Sequence, residues 1–256
     1  MRVTDDVTVW REQRAQLSGS VGFVPTMGAL HDGHASLVER ARSENDVVVA
    51  SIYVNPTQFD QAADLAAYPT SLEHDLTRLE ALGADEVLLP RYEQIYPDGY
   101  RFRVDETEFS RTLCGAHRAG HFGGVLTVVL KLLNLVRPTR AYFGEKDYQQ
   151  YLLIRDMVEA FFIDTAIVAC PTMREADGLA MSSRNLRLDP AARCRAPIFH
   201  RTLCADLDDA AVRERLAAAG FEVDYVETRH GRRFGAVRLA TAGGSVRLID
   251  NVEHSP

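Results

Sequence analysis

The chain has 256 residues, of which 46% are hydrophobic and 25% charged, the make-up of a water-soluble globular enzyme with room for one large and one small domain. With 29 Lys and Arg against 36 Asp and Glu the net charge is -7, which argues against a broad basic surface for nucleic acid. Cys114, Cys170, Cys194 and Cys204 lack Cys-x-x-Cys spacing and the acidic start Met1–Asp6 lacks an apolar core, so reduced thiols in a cytoplasmic protein are expected, with no zinc site and no signal peptide.

In chain order, apolar runs alternate with helical spacing. Val21–Val24, Val47–Val54, Val87–Leu89, Ala141–Phe143 and Ala166–Ala169 read as strands. Several are unbroken Val/Ile/Leu runs, which suit strands covered on both faces in a parallel sheet. Ala35–Arg42, Leu72–Leu82, Gly123–Leu135 and Gln149–Ala160 read as the helices between them. The apolar stretch Val125–Val136 is interrupted by Thr127, Lys131 and Asn134, too polar to span a bilayer. The alternation predicts an α/β fold, a Rossmann-like, doubly wound parallel sheet of right-handed βαβ units. Ligands of such sheets lie beyond the carboxyl ends of the strands, and His31, Asn55, Gly144 and Met173 each follow a predicted strand. After Glu175 the pattern changes. Ala191–Leu207 and Ala210–Ala219 read as two helices, and Val223–Glu227, Gly235–Leu239 and Val246–Ile249 as short strands, with Gly243-Gly244 turning between the last two. The reading is a large domain over residues 1–175 and a small C-terminal α+β domain over residues 176–256.

The segment Met27-Gly28-Ala29-Leu30-His31-Asp32-Gly33-His34 joins a predicted strand to a predicted helix. His31 and His34 are three residues apart and share one helical face. The first helical turn offers free N–H groups to an anion, and Gly33 leaves room for a base or ribose against the backbone. Lys146, in Gly144-Glu145-Lys146-Asp147, opens another helix after a strand. Asp147 beside it has the acceptors that ribose hydroxyls require. Gln58 and Gln150 carry amides that both donate and accept, suited to a small acid bearing hydroxyls. Pro25, Met27, Phe59 and Phe143 offer apolar wall. Met181-Ser182-Ser183-Arg184 adds a cation on a loop, with Gly178 upstream as a point of movement.

Together with Phe23-Val24-Pro25-Thr26-Met27-Gly28 and Ile52-Tyr53-Val54-Asn55-Pro56-Thr57-Gln58-Phe59, these motifs resemble the pantothenate synthetase (pantoate–β-alanine ligase) family. The resemblance runs from about Val21 to Asn185 and returns at Asp224-Tyr225-Val226-Glu227 and Leu248-Ile249-Asp250-Asn251. That family belongs to the nucleotidyltransferases that share His-x-Gly-His with class I aminoacyl-tRNA synthetases. The resemblance implies ATP-dependent condensation of (R)-pantoate with β-alanine through a pantoyl-adenylate, releasing AMP and pyrophosphate. It implies Mg²⁺ alongside ATP and a homodimer acting on small molecules, with neither nucleic acid nor membrane as partner. It puts Met27, Gly28, Ala29, Leu30, His31, Asp32, Gly33 and His34 on ATP, together with Gly144, Glu145, Lys146, Asp147, Met173, Met181, Ser182, Ser183 and Arg184. Within that set His34 is the proton donor, and His31 and Lys146 are catalytic partners. Gln58 and Gln150 contact pantoate, Gln58 also β-alanine, and Asp75 is the candidate Mg²⁺ ligand. Met181–Arg184 stands where the wider superfamily has Lys-Met-Ser-Lys-Ser. Ala180 and Ser183 replace both lysines, leaving Arg184 as the cation. The segment between Leu188 and Asp224 reads as shortened relative to the family, which thins the part expected to close over ATP. Two rival readings, an AMP or CMP transferase acting on a phosphorylated acceptor and a nucleotide-binding regulator with a dead site, fit less well with Gln58, Gln150 and an intact His31–His34–Lys146 set.

Overall fold

A computed structural model describes residues 1–254; Ser255 and Pro256, the end of the predicted small domain, lie outside the described residues. Strands β1 (Arg2–Thr4), β2 (Val21–Thr26), β3 (Val47–Ile52), β4 (Glu86–Leu88), β5 (Arg140–Gly144) and β6 (Ala166–Cys170) form a six-stranded sheet in the order β1-β4-β3-β2-β5-β6. Every pairing in it is parallel. Consecutive strand residues face opposite layers, and both layers are filled. Phe23 and Val49 join Trp10, Leu126, Leu133 and Ile154 on one face, while Val24 and Val48 join Val38, Leu79, Val87 and Tyr142 on the other. Burying such a side chain contributes about 1.5–3 kcal/mol, which explains why the central strands have no polar alternation.

Helices α1 (Val7–Gln16), α2 (Asp32–Glu44), α3 (Ala62–Ala66), α4 (Leu72–Ala81), α5 (Tyr92–Ile95), α6 (Cys114–His117), α7 (His121–Val136) and α8 (Tyr148–Ala160) cover the sheet. The strand order runs outward from β2 through β3 to β4 and then reverses to β5 and β6. The crevice at that reversal, beyond the carboxyl ends of β2 and β5, is where such folds bind ligands. Helix α7 reaches this edge because of Gly124. A Cβ there would lie 2.3 Å from the Thr57 carbonyl oxygen, so glycine alone lets α7 pack against the Pro56–Gln58 turn.

The smaller part holds α9 (Pro190–Arg195), α10 (Pro197–Leu203), α11 (Asp209–Ala218) and an antiparallel sheet of β7 (Glu222–Arg229), β8 (Arg232–Thr241) and β9 (Gly244–Glu253). It has its own core around Phe199, Leu203, Val212, Leu216, Val237 and Leu239. Tyr225, Phe234 and Ala236, however, are buried in the same cluster as Phe23 and Val125 of the large part. The two parts therefore share apolar surface as well as a chain connection.

Some readings change. The segment expected as one helix over Ala191–Leu207 is two, α9 and α10, divided at Pro197, whose ring clashes with a preceding turn and which lacks the N–H that a continuous helix needs. Strand β1 and helices α1, α3, α5 and α6 add to the elements expected. Strand β1 is three residues long, and α1 buries only Trp10, too little of either to leave a periodic signal. Helix α1 is nonetheless fixed, by Asp6 accepting from the Thr8 and Val9 amides and by Trp10 Nε1 donating to the Leu135 carbonyl at 3.0 Å.

Candidate active site

A cavity of about 230 Å³ opens at the carboxyl ends of β2, β3, β5 and β6 and is closed on one side by α7. A second, of about 290 Å³, lies between the large part and β9 and shares Arg118, Lys146, Asp147, Ser182 and Arg184 with the first. The site is thus one cleft with an inner and an outer chamber.

His31 and His34 stand on the inner wall with ring centroids 4.1 Å apart. His31 caps α2, its Nδ1 accepting from the Gly33 amide at 3.1 Å, while His34 Nδ1 accepts from the His31 amide at 3.3 Å. The imidazoles take the amides of His31 and Gly33, and the His34 amide donates to the His31 carbonyl at 2.8 Å, so this helix start offers fewer free N–H groups than expected. Burial lowers both histidines, His31 to about 4 with Lys146 and Arg78 adding to the effect, and His34 to about 3 with His31, Lys146 and Arg78 adding. Both are neutral near pH 7. A neutral imidazole that accepts at Nδ1 carries its proton at Nε2, so each ring keeps one N–H for a ligand. Gly33 serves this arrangement first: a Cβ would sit 2.9 Å from the His31 ring.

The loop between β2 and α2 is held from below by Asp75. This carboxylate, 1% exposed on α4, accepts from the Ala29 and Leu30 amides at 2.8 Å each and from Ser71 Oγ at 3.3 Å. Gly28 and Ala29 both have positive φ, +80° and +51°, and a Cβ on Gly28 would lie 2.9 Å from Asp75 Oδ2. Asp75 therefore anchors the loop, its oxygens facing backbone amides beneath it, and this geometry lends no support to the Mg²⁺ role expected of it. Gly28, Ala29, Leu30, Asp32 and Glu145 are absent from the cavity walls as well. Ala29 and Leu30 are buried with their amides on Asp75, Asp32 pairs with Arg78, and Glu145 pairs with Arg232.

Gln58 is set before any substrate arrives. Its Oε1 accepts from Asn55 Nδ2 at 3.1 Å, its Nε2 reaches Met27 Sδ at 3.1 Å, and its carbonyl accepts from His121 Nδ1 at 2.8 Å. His121, which burial and then Arg118 push down to about 3, is neutral and accepts at Nε2 from Arg118 at 2.8 Å. Arg118 in turn pairs with Asp60 at 3.0 Å. Gln150 lines the same chamber, whereas its neighbour Gln149 is buried and structural, holding the Cys114 amide and the Phe109 and Thr112 carbonyls. Pro25, Met27, Phe59 and Phe143 line the wall as expected, and Val125, Val128, Val129 and Leu132 of α7 complete it.

Lys146 follows β5 in the 3₁₀ turn Glu145–Asp147, its Nζ 3.6 Å from Asp147 Oδ2. Across the cleft, Arg174 and Ala180 form a bridge that puts Met173 and Met181 side by side on the wall. Gly178 (φ +91°) turns this hairpin against His200, so it is a packed turn. Ser182 caps the 3₁₀ turn Ser183–Arg187 by accepting from the Arg184 amide, and Ser183 Oγ donates to the Tyr68 hydroxyl at 3.4 Å. Arg184 and Arg187 both pair with Asp64 of α3, at 2.9 and 2.6 Å. Those two pairs hold Asp64 below the usual carboxylate range although burial alone pushes it up.

The sequence model of the family described as Pantoate-beta-alanine ligase matches residues 1–253. The chain belongs to the pantoate–β-alanine ligase family. It is 53% identical to the pantothenate synthetase of Bdellovibrio bacteriovorus, over 99% of this chain and 98% of that one. It is 48% identical to the pantothenate synthetase of Legionella pneumophila, over 98% and 99%. Among solved structures, the pantoate–β-alanine ligase of Francisella tularensis complexed with beta-gamma ATP and beta-alanine superposes with a TM-score of 0.92 at 41% identity, over 99% of this chain and 97% of that one. The Thermus thermophilus pantothenate synthetase gives 0.90 at 43%, over the whole of both chains. These end-to-end matches correct one expectation: the short Leu188–Asp224 segment is shared with such relatives and is no departure from them.

The structure brings together Met27, His31, Gly33, His34, Gln58, Gly144, Lys146, Asp147, Gln150, Met173, Met181, Ser182, Ser183 and Arg184 from the predicted set. Sequence reasoning gave no role to Arg118, His121, Asp64 and Tyr68. Arg118 and His121 lie on either side of the Ala119-Gly120 turn at the start of α7. Asp64 and Tyr68 belong to a short helix and its exit, where no periodicity marks them.

Proposed function

We propose that the chain joins pantoate to β-alanine through a pantoyl-adenylate formed in the inner chamber. A pantoate carboxylate oxygen attacks the α-phosphorus of ATP, the bond to the bridging oxygen breaks, and pyrophosphate leaves. The β-alanine amine then attacks the acyl carbon, the acyl–oxygen bond breaks, and AMP leaves as the amine loses its proton. The observation that carries this reading is the convergence of two neutral imidazoles, Lys146 and Arg184 on one cleft that Gln58 and Gln150 also line. Fixed donors aimed at phosphoryl oxygens act where charge develops in the transition state. His34 begins neutral, so it donates a hydrogen bond; proton donation to the leaving group requires uptake of a proton when the polyphosphate arrives and raises its pKa. Gln58, fixed by Asn55 and His121, reads pantoate and meets the incoming amine, while Gln150 reads pantoate alone.

Among the described residues no group of three His, Cys, Asp or Glu could hold a metal ion. The donor set does not fit a resident Mg²⁺ site, so Mg²⁺ is read as arriving on the phosphates with water completing its shell. No helix among the described residues is long and apolar enough to cross a membrane. The small part, residues 176–256, is read as the lid over the nucleotide, and the working unit as a homodimer in the cytoplasm.

The test is exchange of labelled pyrophosphate into ATP with pantoate present and no amine. Exchange that depends on pantoate supports the adenylate. ADP and phosphate as products would replace it with an acyl-phosphate route and overturn the reading.

A further inference from the structure

Asn251, in the Leu248–Asn251 motif, lines neither chamber and is 2% exposed on β9. Its Nδ2 donates to the carbonyl oxygens of Glu145 at 2.8 Å and Lys146 at 3.1 Å. Its Oδ1 accepts from Arg232 Nη1 at 2.8 Å, and its backbone N–H donates to Asp250 Oδ1 at 2.8 Å. With both amide hydrogens and the oxygen engaged, the amide has one orientation. Arg232 completes the grip, with Nη2 3.0 Å from Glu145 Oε2 and its guanidinium 4.1 Å over the Tyr148 ring. These contacts bracket Lys146 along the chain without touching its side chain. Joining the two parts does not by itself require Asn251, because Asp250 already takes Arg174 through two hydrogen bonds, at 2.7 and 2.9 Å.

We infer that Asn251 is a positioning residue for Lys146. It fixes the peptide planes from which the lysine ammonium reaches the phosphates, so that β9 of the small part sets reactive geometry in the large part. The inference rests on Lys146 facing phosphate, and the experiment separates the two. Asn251→Ala, the isosteric Asn251→Asp, Lys146→Ala and each Asn251 change combined with Lys146→Ala are compared in pantoate-dependent pyrophosphate exchange, with unfolding midpoints recorded. Loss of geometry by a fraction of an ångström to an ångström predicts a kcat lowered about ten- to a hundredfold in Asn251→Ala. The pantoate KM should stay within about twofold of the parent, since ground-state binding is untouched. Asn251→Asp should lose at least as much, because an acceptor oxygen then faces two carbonyls. In the Lys146→Ala background either change should alter the rate by no more than about twofold, as coupled positions are not additive.

Equal losses in both backgrounds, or a lowered unfolding midpoint with kcat unchanged, overturn the inference while leaving Lys146 in place. A parent-like rate in Lys146→Ala alone overturns the phosphate reading of Lys146, and the positioning role with it. If Asn251→Ala does not fold, Asn251→Asp with its double variant decides by the same comparison.

Discussion

Asp75 offers the sharpest test, because its two possible roles predict opposite behaviour in metal-free solution. As the loop's anchor it accepts two backbone amides inside the protein, those of Ala29 and Leu30. Asp75→Ala leaves both buried donors unpaired, at about 1–3 kcal/mol each, so the expected loss is about 2–6 kcal/mol. That is a large share of a typical stability of about 5–15 kcal/mol. For a chain of this size it corresponds to a fall in Tm of roughly 5–20 °C. Asp75→Asn keeps one acceptor and turns an NH₂ toward the other amide, so about half the loss is expected. Urea unfolding without ATP or metal measures this directly. Pyrophosphate exchange at saturating and limiting Mg²⁺ measures the alternative. If metal-free Asp75→Ala is as stable as the parent and exchange instead needs far more Mg²⁺, then the carboxylate serves the metal and the anchoring argument is wrong.

Removing phosphate-facing donors should affect the reaction more than the fold: His34→Ala and Lys146→Ala are each expected to lower pyrophosphate exchange by about two to three orders of magnitude, with circular dichroism unchanged; near-parent exchange would remove either residue from the site. Gln58→Ala should raise the KM for both pantoate and β-alanine, and Gln150→Ala that for pantoate alone, by about tenfold or more for a contact worth about 1.5–3 kcal/mol; steady-state kinetics with each substrate varied decides, and an equal rise for ATP would mean a collapsed site. The histidines give a pH signature. His31, His34 and His121 lie at about 4, 3 and 3 in the folded chain, below the ordinary value of about 6.5, so the unfolded chain binds more protons between those values and stability falls as pH drops from about 6.5 toward 4. Urea midpoints at pH 7.5 and 5 should show that loss, smaller in His121→Asn if that variant folds; a flat profile would mean the three rings are not desolvated.

The parallel sheet was legible because its strands are apolar on both faces, as at Val47-Val48-Val49-Ala50. The candidate site was legible where residues face outward from strand ends, as His34, Gln58 and Lys146 do. Inward-facing partners were harder to read. Asp75 has the appearance of an exposed helical carboxylate, since nothing local announces that two amides from residues 29 and 30 will point at it. Ala29 and Leu30 carried the same ambiguity from the other side. The neutrality of His31 and His34 was likewise hidden, because it comes from burial and from Lys146, more than a hundred residues away in sequence. The division of α9 from α10 is a different case. Pro197 stood in plain view, and the apolar spacing on either side of it concealed the break.

The double pairing of Asp64 with Arg184 and Arg187 means that the cleft supplies its own counter-ion. A phosphate arriving there exchanges one anion for another, so its affinity is a difference between two pairings and depends on charge beyond that of a single carboxylate. Both acids of the proposed reaction, pantoate and β-alanine, carry one carboxylate each. Neither has an advantage over Asp64 at these arginines, whereas a polyphosphate does. On the proposed reading, the aspartate keeps the cation pair clear of the small acids and leaves it to the nucleotide.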